Sequence, residues 1–162
     1  QEGRLSGKAV SRGRRAGTEN LPGIAAFGAA ARAALAGIEA LSAQAGWRDT
    51  LQARVEAAGG VVLGKGAARL PQTLCVAIED WPSETQVMVM DLGGAMISAG
   101  AACSSGKVRP SRTVEAMGRP DLAPFSIRIS GGWSSTEADW IRAGDVWLEA
   151  LARRRPKIKE VV

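Results

Sequence analysis

A long alanine-rich run near the start of the chain sets the first limit on the fold. From Ile24 to Ala45 the sequence holds strong helix formers and few helix breakers, and Pro22 stands where a first helical turn tolerates proline. Gly46 predicts an end or a bend, and apolar residues four apart predict a second helix from Trp47 to Ala58. The residues before Leu21 are rich in glycine and arginine, which predicts a loop.

The rest of the chain alternates short strand-like segments with helical ones. Four segments are predicted to be strands: Val61–Leu63, Thr73–Glu79, Ala95–Ser98 and Ser126–Ser130. The segment from Val87 to Leu92 is apolar on all sides, which indicates a buried helix, and a short helix is predicted from Pro110 to Gly118. Two helices followed by mixed strands and helices predict an α/β or α+β fold.

Two residue pairs have the spacing of a capping box, in which a hydroxyl residue and a Glu or Gln three positions later satisfy the first N–H groups of a helix. Ser83 and Gln86 predict one helix start, and Ser134 and Glu137 predict another. The helix after the second box runs to about Arg154. Its large apolar residues fall on one face: Trp140, Trp147, Leu148 and Leu151.

The residue types that are scarce exclude several classes of site. Histidine is absent, which removes histidine-based nucleophile pairs, histidine metal ligands and histidine acid–base catalysis within this chain. Two cysteines are too few for a four-thiolate zinc site or a disulfide scaffold, and they suit a reducing, cytoplasmic setting. No apolar run is long enough to predict a membrane span.

Basic residues gather near both ends of the chain, at 4–15 and 153–159, and the formal net charge is +5. Solvated tails and nucleic-acid binding are the two interpretations of such clusters. Aromatic residues do not interleave with them, so the stacking part of a single-strand binder is missing and nucleic acid is not the expected partner.

The two cysteines have opposite surroundings in the sequence. Cys75 lies in an apolar strand and is predicted to be a small buried residue. Cys103 lies among small residues between Gly100 and Gly106, and Lys107 and Arg109 follow closely and would favour its thiolate. The residues alone leave two interpretations of Cys103 open, a reactive thiol on a mobile arm and an ordinary exposed loop cysteine.

Arg128 and Thr18 are two further candidates. Arg128 alternates with Ile127 and Ile129 in the predicted strand, so it faces away from them, where it could bind a carboxylate or simply contact water. Thr18 follows Gly17 just before the first helix. A hydroxyl residue there either helps to bind a phosphate or caps the helix.

Four motifs occur in one order along the chain. They are Arg-Ala-Gly-Thr-Glu-Asn at 15–20, Ser-Ala-Gly-Ala-Ala-Cys-Ser-Ser-Gly at 98–106, Ala-Met-Gly at 116–118 and Ser-Ile-Arg-Ile-Ser at 126–130. In this order the chain resembles the C-terminal portion of NifS/IscS-type cysteine desulfurases, which are pyridoxal-phosphate (PLP) enzymes of the class-V aminotransferase group. The resemblance extends from about Gly13 to Leu151.

The resemblance implies a role for each candidate. Cys103 matches the nucleophile that takes sulfur from L-cysteine and becomes a persulfide, and Arg128 matches the residue that binds the substrate carboxylate. Thr18 matches the residue that reaches the PLP phosphate of the other subunit, which implies a homodimer. The persulfide sulfur would pass to an acceptor protein such as an iron–sulfur scaffold, or into a thiolation pathway. Cys75 matches no catalytic residue.

The resemblance also implies the C-terminal part of a PLP fold-type-I enzyme, with a long linking helix and a small α+β domain that has a short mixed or antiparallel sheet. Residues 1–38 would end the large PLP-binding domain, and residues 39–162 would form the small domain with the cysteine loop at about 99–111. The lysine that binds PLP is expected upstream of Gln1, so this chain alone is expected to be inactive. A partner-binding or dimerisation module of the same fold, or a class-V aminotransferase relative with other chemistry, are the alternatives.

Overall fold

The computed structural model describes residues 9–10, 15–16, 19–100 and 110–154 of the chain. The chain divides into two compact units, Gln1–Ile38 and Glu39–Val162. No single helix in these ranges is long and apolar enough to cross a membrane, although the helices Leu21–Ala36 and Ile38–Ala57 pass that test when taken together across the break between them.

The first unit contains a short strand pair and one helix. Strand β1 (Ala9–Val10) pairs antiparallel with β2 (Arg15–Ala16), where the sequence predicted only loop. Helix α1 spans Leu21–Ala36, and its N-cap is Asn20, whose Oδ1 accepts a hydrogen bond from the Gly23 N–H at 3.1 Å. Thr18 lies outside the described residues.

The predicted helix break at Gly46 is wrong, because the break comes at Gly37. The Gly37 N–H bonds the carbonyls of two residues of the last turn of α1, and helix α2 then runs over Ile38–Ala57 with Gly46 inside it. A glycine in a helix costs about 1 kcal/mol relative to alanine. The neighbouring Gln44 and Arg48 are buried and hydrogen-bonded to distant backbone carbonyls, and these contacts outweigh that cost.

The second unit is built on a four-stranded antiparallel sheet, which confirms the predicted small α+β architecture. Its strands are β3 (Val61–Leu63), β4 (Thr73–Ala77), β5 (Ser98–Ala99) and β6 (Ser126–Ser130), in the order β3-β4-β6-β5. Its helices after α2 are α3 (Ser83–Leu92), α4 (Arg112–Ala116), a 3-10 turn (Ala123–Phe125) and α5 (Glu137–Arg154). Strand β4 ends two residues earlier than predicted, and β5 lies later than predicted.

Helices α2, α3 and α5 contribute to the core on one face of the sheet. Leu74 and Val76 of β4 and Ile127 and Ile129 of β6 supply the sheet side of this core. The predicted apolar face of α5 is confirmed, because Trp140, Trp147 and Leu151 are buried in the core and Leu148 packs against it. The rings of Trp81 and Trp147 lie 5.4 Å apart between centroids, tilted by 34°.

Helix α3 differs from prediction in two ways. Met88 and Leu92 are 61% and 83% exposed, so the helix is not buried on all sides. The predicted capping box is also absent: Ser83 is already the first helical residue, and the N-cap, Pro82, has no side-chain hydrogen bond. Gln86 instead points inward and is fully buried, because its amide satisfies polar groups of the core.

The second predicted capping box lies two residues later than expected. Thr136 and Asp139 form it: the Asp139 carboxylate accepts hydrogen bonds from the Thr136 N–H and hydroxyl, both at 2.8 Å, and the Asp139 N–H bonds Thr136 Oγ1. Ser135 takes a different role, because its hydroxyl accepts the Gly132 N–H at 2.9 Å. Ser134, Ser135 and Thr136 all carry hydroxyls, so the sequence did not show which of them begins the capping box.

The cap at Asp139 predicts a pH dependence of stability. The hydrogen bonds from Thr136 lower the pKa of the Asp139 carboxyl below its ordinary value of 3.8. A carboxyl with a lowered pKa stabilises the fold above the pKa of the unfolded chain, and this contribution is lost as the pH falls through the lowered value. Urea unfolding at a series of acidic pH values is expected to show this loss, and Asp139→Asn is expected to flatten that part of the profile. An unchanged profile in the variant would contradict the cap.

Candidate carboxylate-binding face

The second face of the sheet carries polar side chains instead of a continuous core. Residues on this face include a thiol, three hydroxyls and one guanidinium, which together are called the open polar face: Thr73, Cys75, Ser98, Arg128 and Ser130. Arg128, Ser98 and Ser130 are exposed, and Thr73 and Cys75 are half-buried. The strand alternation predicted for β6 is confirmed, because Ile127 and Ile129 point into the core on the other side.

Arg128 lies in the centre of this face. It is directly opposite Cys75 of β4 on one side and directly opposite Ser98 of β5 on the other. Directly opposite residues in an antiparallel pair project from the same face with Cβ atoms about 4.5–5.5 Å apart. The guanidinium therefore extends from a row in which both neighbours have small side chains.

A second apolar cluster covers only the end of the face away from Ser130. Helix α4 and the 3-10 turn pack over Leu63, Ala77 and the buried Ser126, whose hydroxyl donates to the Ala123 carbonyl at 3.1 Å. Cys75 packs against the edge of this cluster. The β4 side of Arg128 is therefore partly occupied, while its β5 side, at Ser98, is open.

The charge on Arg128 is not neutralised by its neighbours. Within the described ranges the guanidinium forms no hydrogen bond and no salt bridge, and the open polar face carries no carboxylate. Burial raises the pKa of the Cys75 thiol, and the positive charge of Arg128 only partly opposes this shift. Cys75 therefore remains a neutral thiol at neutral pH, and an exposed positive charge faces solvent beside hydrogen-bonding groups.

The loop after β6 is held by a buried polar network that the sequence analysis missed. The Gln44 side chain accepts a hydrogen bond from Trp140 Nε1 at 3.1 Å and donates one to the Gly132 carbonyl at 2.8 Å. The Gly131 N–H bonds the Gln72 carbonyl, and a Cβ at Gly131 would overlap Gln44 Oε1. These contacts fix the end of the strand that carries Arg128. A lone glutamine among the alanines of the first helical run was the available signal.

The other two predicted site residues are not placed by the structure. Cys103 lies in the 101–109 segment and Thr18 in the 17–18 segment, both outside the described residues. What the structure does place is the start of the cysteine motif: Ser98 and Ala99 pair with Arg128 and Ile127. Two of the sequence-predicted motifs, at 98–106 and 126–130, therefore meet in one sheet. Ser98 was not among the site residues predicted from the sequence, although it is the first residue of its motif.

Comparison with known families identifies the chain. Residues 5–140 match the family model described as aminotransferase class-V. The chain belongs to this family. Curated relatives include cysteine desulfurases from Cereibacter sphaeroides, 42% identical over 140 residues, and Rhodobacter capsulatus, 38% identical over 155 residues. The matches cover 83% and 94% of this chain but only 35% and 40% of those relatives, so this class-V chain spans well under half of their length.

Solved structures show the same fold. A protein described as NifS-like superposes with a TM-score of 0.77 over 91% of this chain and 38% of its own, at 23% identity. A NifS-like protein from Rickettsia africae gives a TM-score of 0.72 over 93% of this chain and 41% of its own, at 22% identity. The predicted α/β architecture is confirmed by these likenesses.

Proposed function

We propose that this chain forms part of a cysteine desulfurase, in which it binds the carboxylate of L-cysteine through Arg128 and supplies Cys103 as the sulfur-accepting thiol. The observation that carries the proposal is the unpaired guanidinium of Arg128. Arg128 lies directly opposite Ser98, the first residue of the motif that contains Cys103. The similarity to curated cysteine desulfurases supports the same activity.

Arg128 suits a carboxylate because its strand fixes the base of the side chain. Arginine presents N–H groups in a planar fork that matches the two oxygens of a carboxylate, and charge-assisted bonds of this kind are stronger than neutral ones. The nearby thiol is neutral and no acidic group shares the open polar face. Among the residues that the structure describes, a substrate carboxylate would therefore meet no competing anion on this face.

The short stretch of chain between Ser98 and Cys103 supports the proposed role of Cys103. Five peptide units separate it from Ser98, and an extended chain spans at most about 3.6 Å per residue, so the two Cα atoms are at most about 18 Å apart. In the proposed step the Cys103 thiolate attacks the substrate sulfur, an S–S bond forms and the C–S bond breaks. The electron pair of that bond and a proton end on the substrate carbon, which leaves as L-alanine.

PLP, when bound, would accept electrons from the substrate carbon during this reaction. The described residues hold no suitable lysine for it: Lys65 is 58% exposed in its side chain and pairs with Glu56 at 2.7 Å on the surface. Thr18, proposed to contact the PLP phosphate across a homodimer, lies outside the described residues. The PLP lysine is therefore proposed to belong to the part of the relatives that this chain does not match.

The proposed domain roles and partners follow the same family pattern. Residues 1–38 would complete the large PLP-binding domain and residues 39–162 would form the small domain. The persulfide on Cys103 would pass its sulfur to an acceptor protein, such as an iron–sulfur scaffold, in the reducing cytoplasm. Cys75, a free thiol half-covered by the second apolar cluster, has no part in this transfer.

A chimera tests the proposed function. In it, this chain replaces the matching segment of the Cereibacter sphaeroides relative, and sulfide and L-alanine released from L-cysteine are measured with PLP and a thiol reductant. Release of both products in equal amounts is expected from the chimera, and no release is expected from the 162-residue chain alone. A folded, PLP-loaded chimera that releases neither product would overturn the proposal.

A further inference from the structure

The open polar face has one side on which a ligand can approach Arg128. On the β4 side, Cys75 is packed against the second apolar cluster. On the β5 side, Ser98 is exposed and small, so among the described residues no large side chain stands directly opposite Arg128 there. A ligand that binds the guanidinium is therefore directed to the space above Ser98.

The geometry of the guanidinium determines how a carboxylate can lie in the space above Ser98. A carboxylate that binds side-on takes one hydrogen bond from Nε and one from a terminal nitrogen, and it then lies beside the stem rather than beyond its tip. Because Ser98 is the direct cross-strand neighbour of Arg128, with a Cβ separation of about 4.5–5.5 Å, its hydroxyl would be within reach of such a carboxylate. Within the described residues the Ser98 hydroxyl has no hydrogen-bond partner that it would need to give up.

We propose that Ser98 is a second carboxylate-binding residue, whose hydroxyl donates a hydrogen bond to the carboxylate of an amino acid held side-on by Arg128. This inference rests on the proposed function and extends it from one binding residue to two. It also makes β5 part of the substrate site, because the same short strand contributes Ser98 and leads into the Cys103 motif.

Ser130 and Thr73 share the face but not this position. Ser130 and Thr73 lie directly opposite each other. Ser130 is two residues from Arg128 on β6, and Thr73 is two residues from Cys75 on β4. A carboxylate held side-on toward β5 lies away from both of them. Ser98 is therefore the hydroxyl that the register selects.

The test is a titration of the 162-residue chain, labelled with ¹⁵N in its arginine side chains, with L-cysteine under reducing conditions. The Arg128 Nε–H signal is assigned by its loss in Arg128→Ala. It is expected to shift with L-cysteine and not with cysteamine, which lacks the carboxylate. Ser98→Ala is expected to raise the Kd for L-cysteine about ten- to a hundredfold, the effect of one lost hydrogen bond to a charged group.

Three further variants separate the outcomes. Ser98→Thr keeps the hydroxyl and is expected to retain most of the affinity, Ser98→Leu fills the space and is expected to abolish the shift, and the exposed loop control Ser134→Ala is expected to change nothing. An unchanged Kd in Ser98→Ala, with a shift at Arg128 in the wild type, would overturn the role of Ser98 alone. No shift of Arg128 with L-cysteine would contradict the carboxylate site itself and with it the proposed function.

Discussion

Changing Cys103 to serine is expected to reduce sulfide release from L-cysteine by the chimera more than about a thousandfold. A thiolate is a strong nucleophile at neutral pH and forms a stable S–S bond, whereas a serine hydroxyl is neutral there and cannot hold sulfur as a persulfide. Binding of L-cysteine at Arg128 is expected to persist in this variant, because the proposed carboxylate site lies on β5 and β6 and does not include Cys103.

The second cysteine provides the matched control. Cys75→Ser replaces a half-buried thiol next to Arg128 and is expected to keep most of the sulfide release, since burial holds Cys75 in its neutral form. Alkylation of persulfides followed by mass spectrometry shows which residue carries the sulfur. Persulfide on Cys75, or full activity in Cys103→Ser, would contradict the assignment of Cys103.

Gln86→Leu is expected to lower the free energy of unfolding by about 3–5 kcal/mol. The buried amide of Gln86 donates to the carbonyls of Trp81 and Phe125, both at 2.8 Å, and accepts the Nε1–H of Trp147 at 2.9 Å. Leucine fills a similar volume but leaves one buried donor and two buried carbonyls without these partners. Burying such groups unpaired costs more than the hydrogen bonds themselves contribute.

Urea unfolding of the 162-residue chain, followed by circular dichroism, measures this loss. Thr85→Leu is the matched control, because Thr85 is the preceding residue of helix α3 and is exposed, and this change is expected to alter stability by less than about 0.5 kcal/mol. In the double variant of Gln86→Leu with Trp147→Phe, the orphaned indole N–H is gone, so the combined loss is expected to be smaller than the sum of the two single losses. A Gln86→Leu variant as stable as the wild type would show that water replaces the amide.

The features that follow from local spacing were predictable from the sequence. The alternation around Arg128 specified both faces of β6, and the spacing of Trp140 and Trp147 specified the buried face of α5. Both patterns depend only on the period of a strand or a helix, which is fixed by backbone geometry.

The features that depend on contacts between distant residues were not predictable. Nothing local distinguishes Gly37, which ends a helix, from Gly46, which does not, because the difference lies in the buried contacts of Gln44 and Arg48. Gln86 was misassigned for the same reason: its partners are up to 61 residues away. The pairing of Ser98 with Arg128 joins residues from two separate motifs, so no spacing within either motif reveals it.

The placement of Arg128 between two buried isoleucines also helps to specify the register of β6 in the sheet. A slip of β6 by one residue would turn Ile127 and Ile129 outward and bring the guanidinium onto the core face, opposite Leu74 or Val76. An unpaired charge in that position costs several kcal/mol, so misaligned chains would be rare at equilibrium. Arg128, which is proposed to bind substrate, thus also disfavours the shifted register of β6. Replacing it with an apolar residue would remove both the proposed carboxylate binding and this selection of the register.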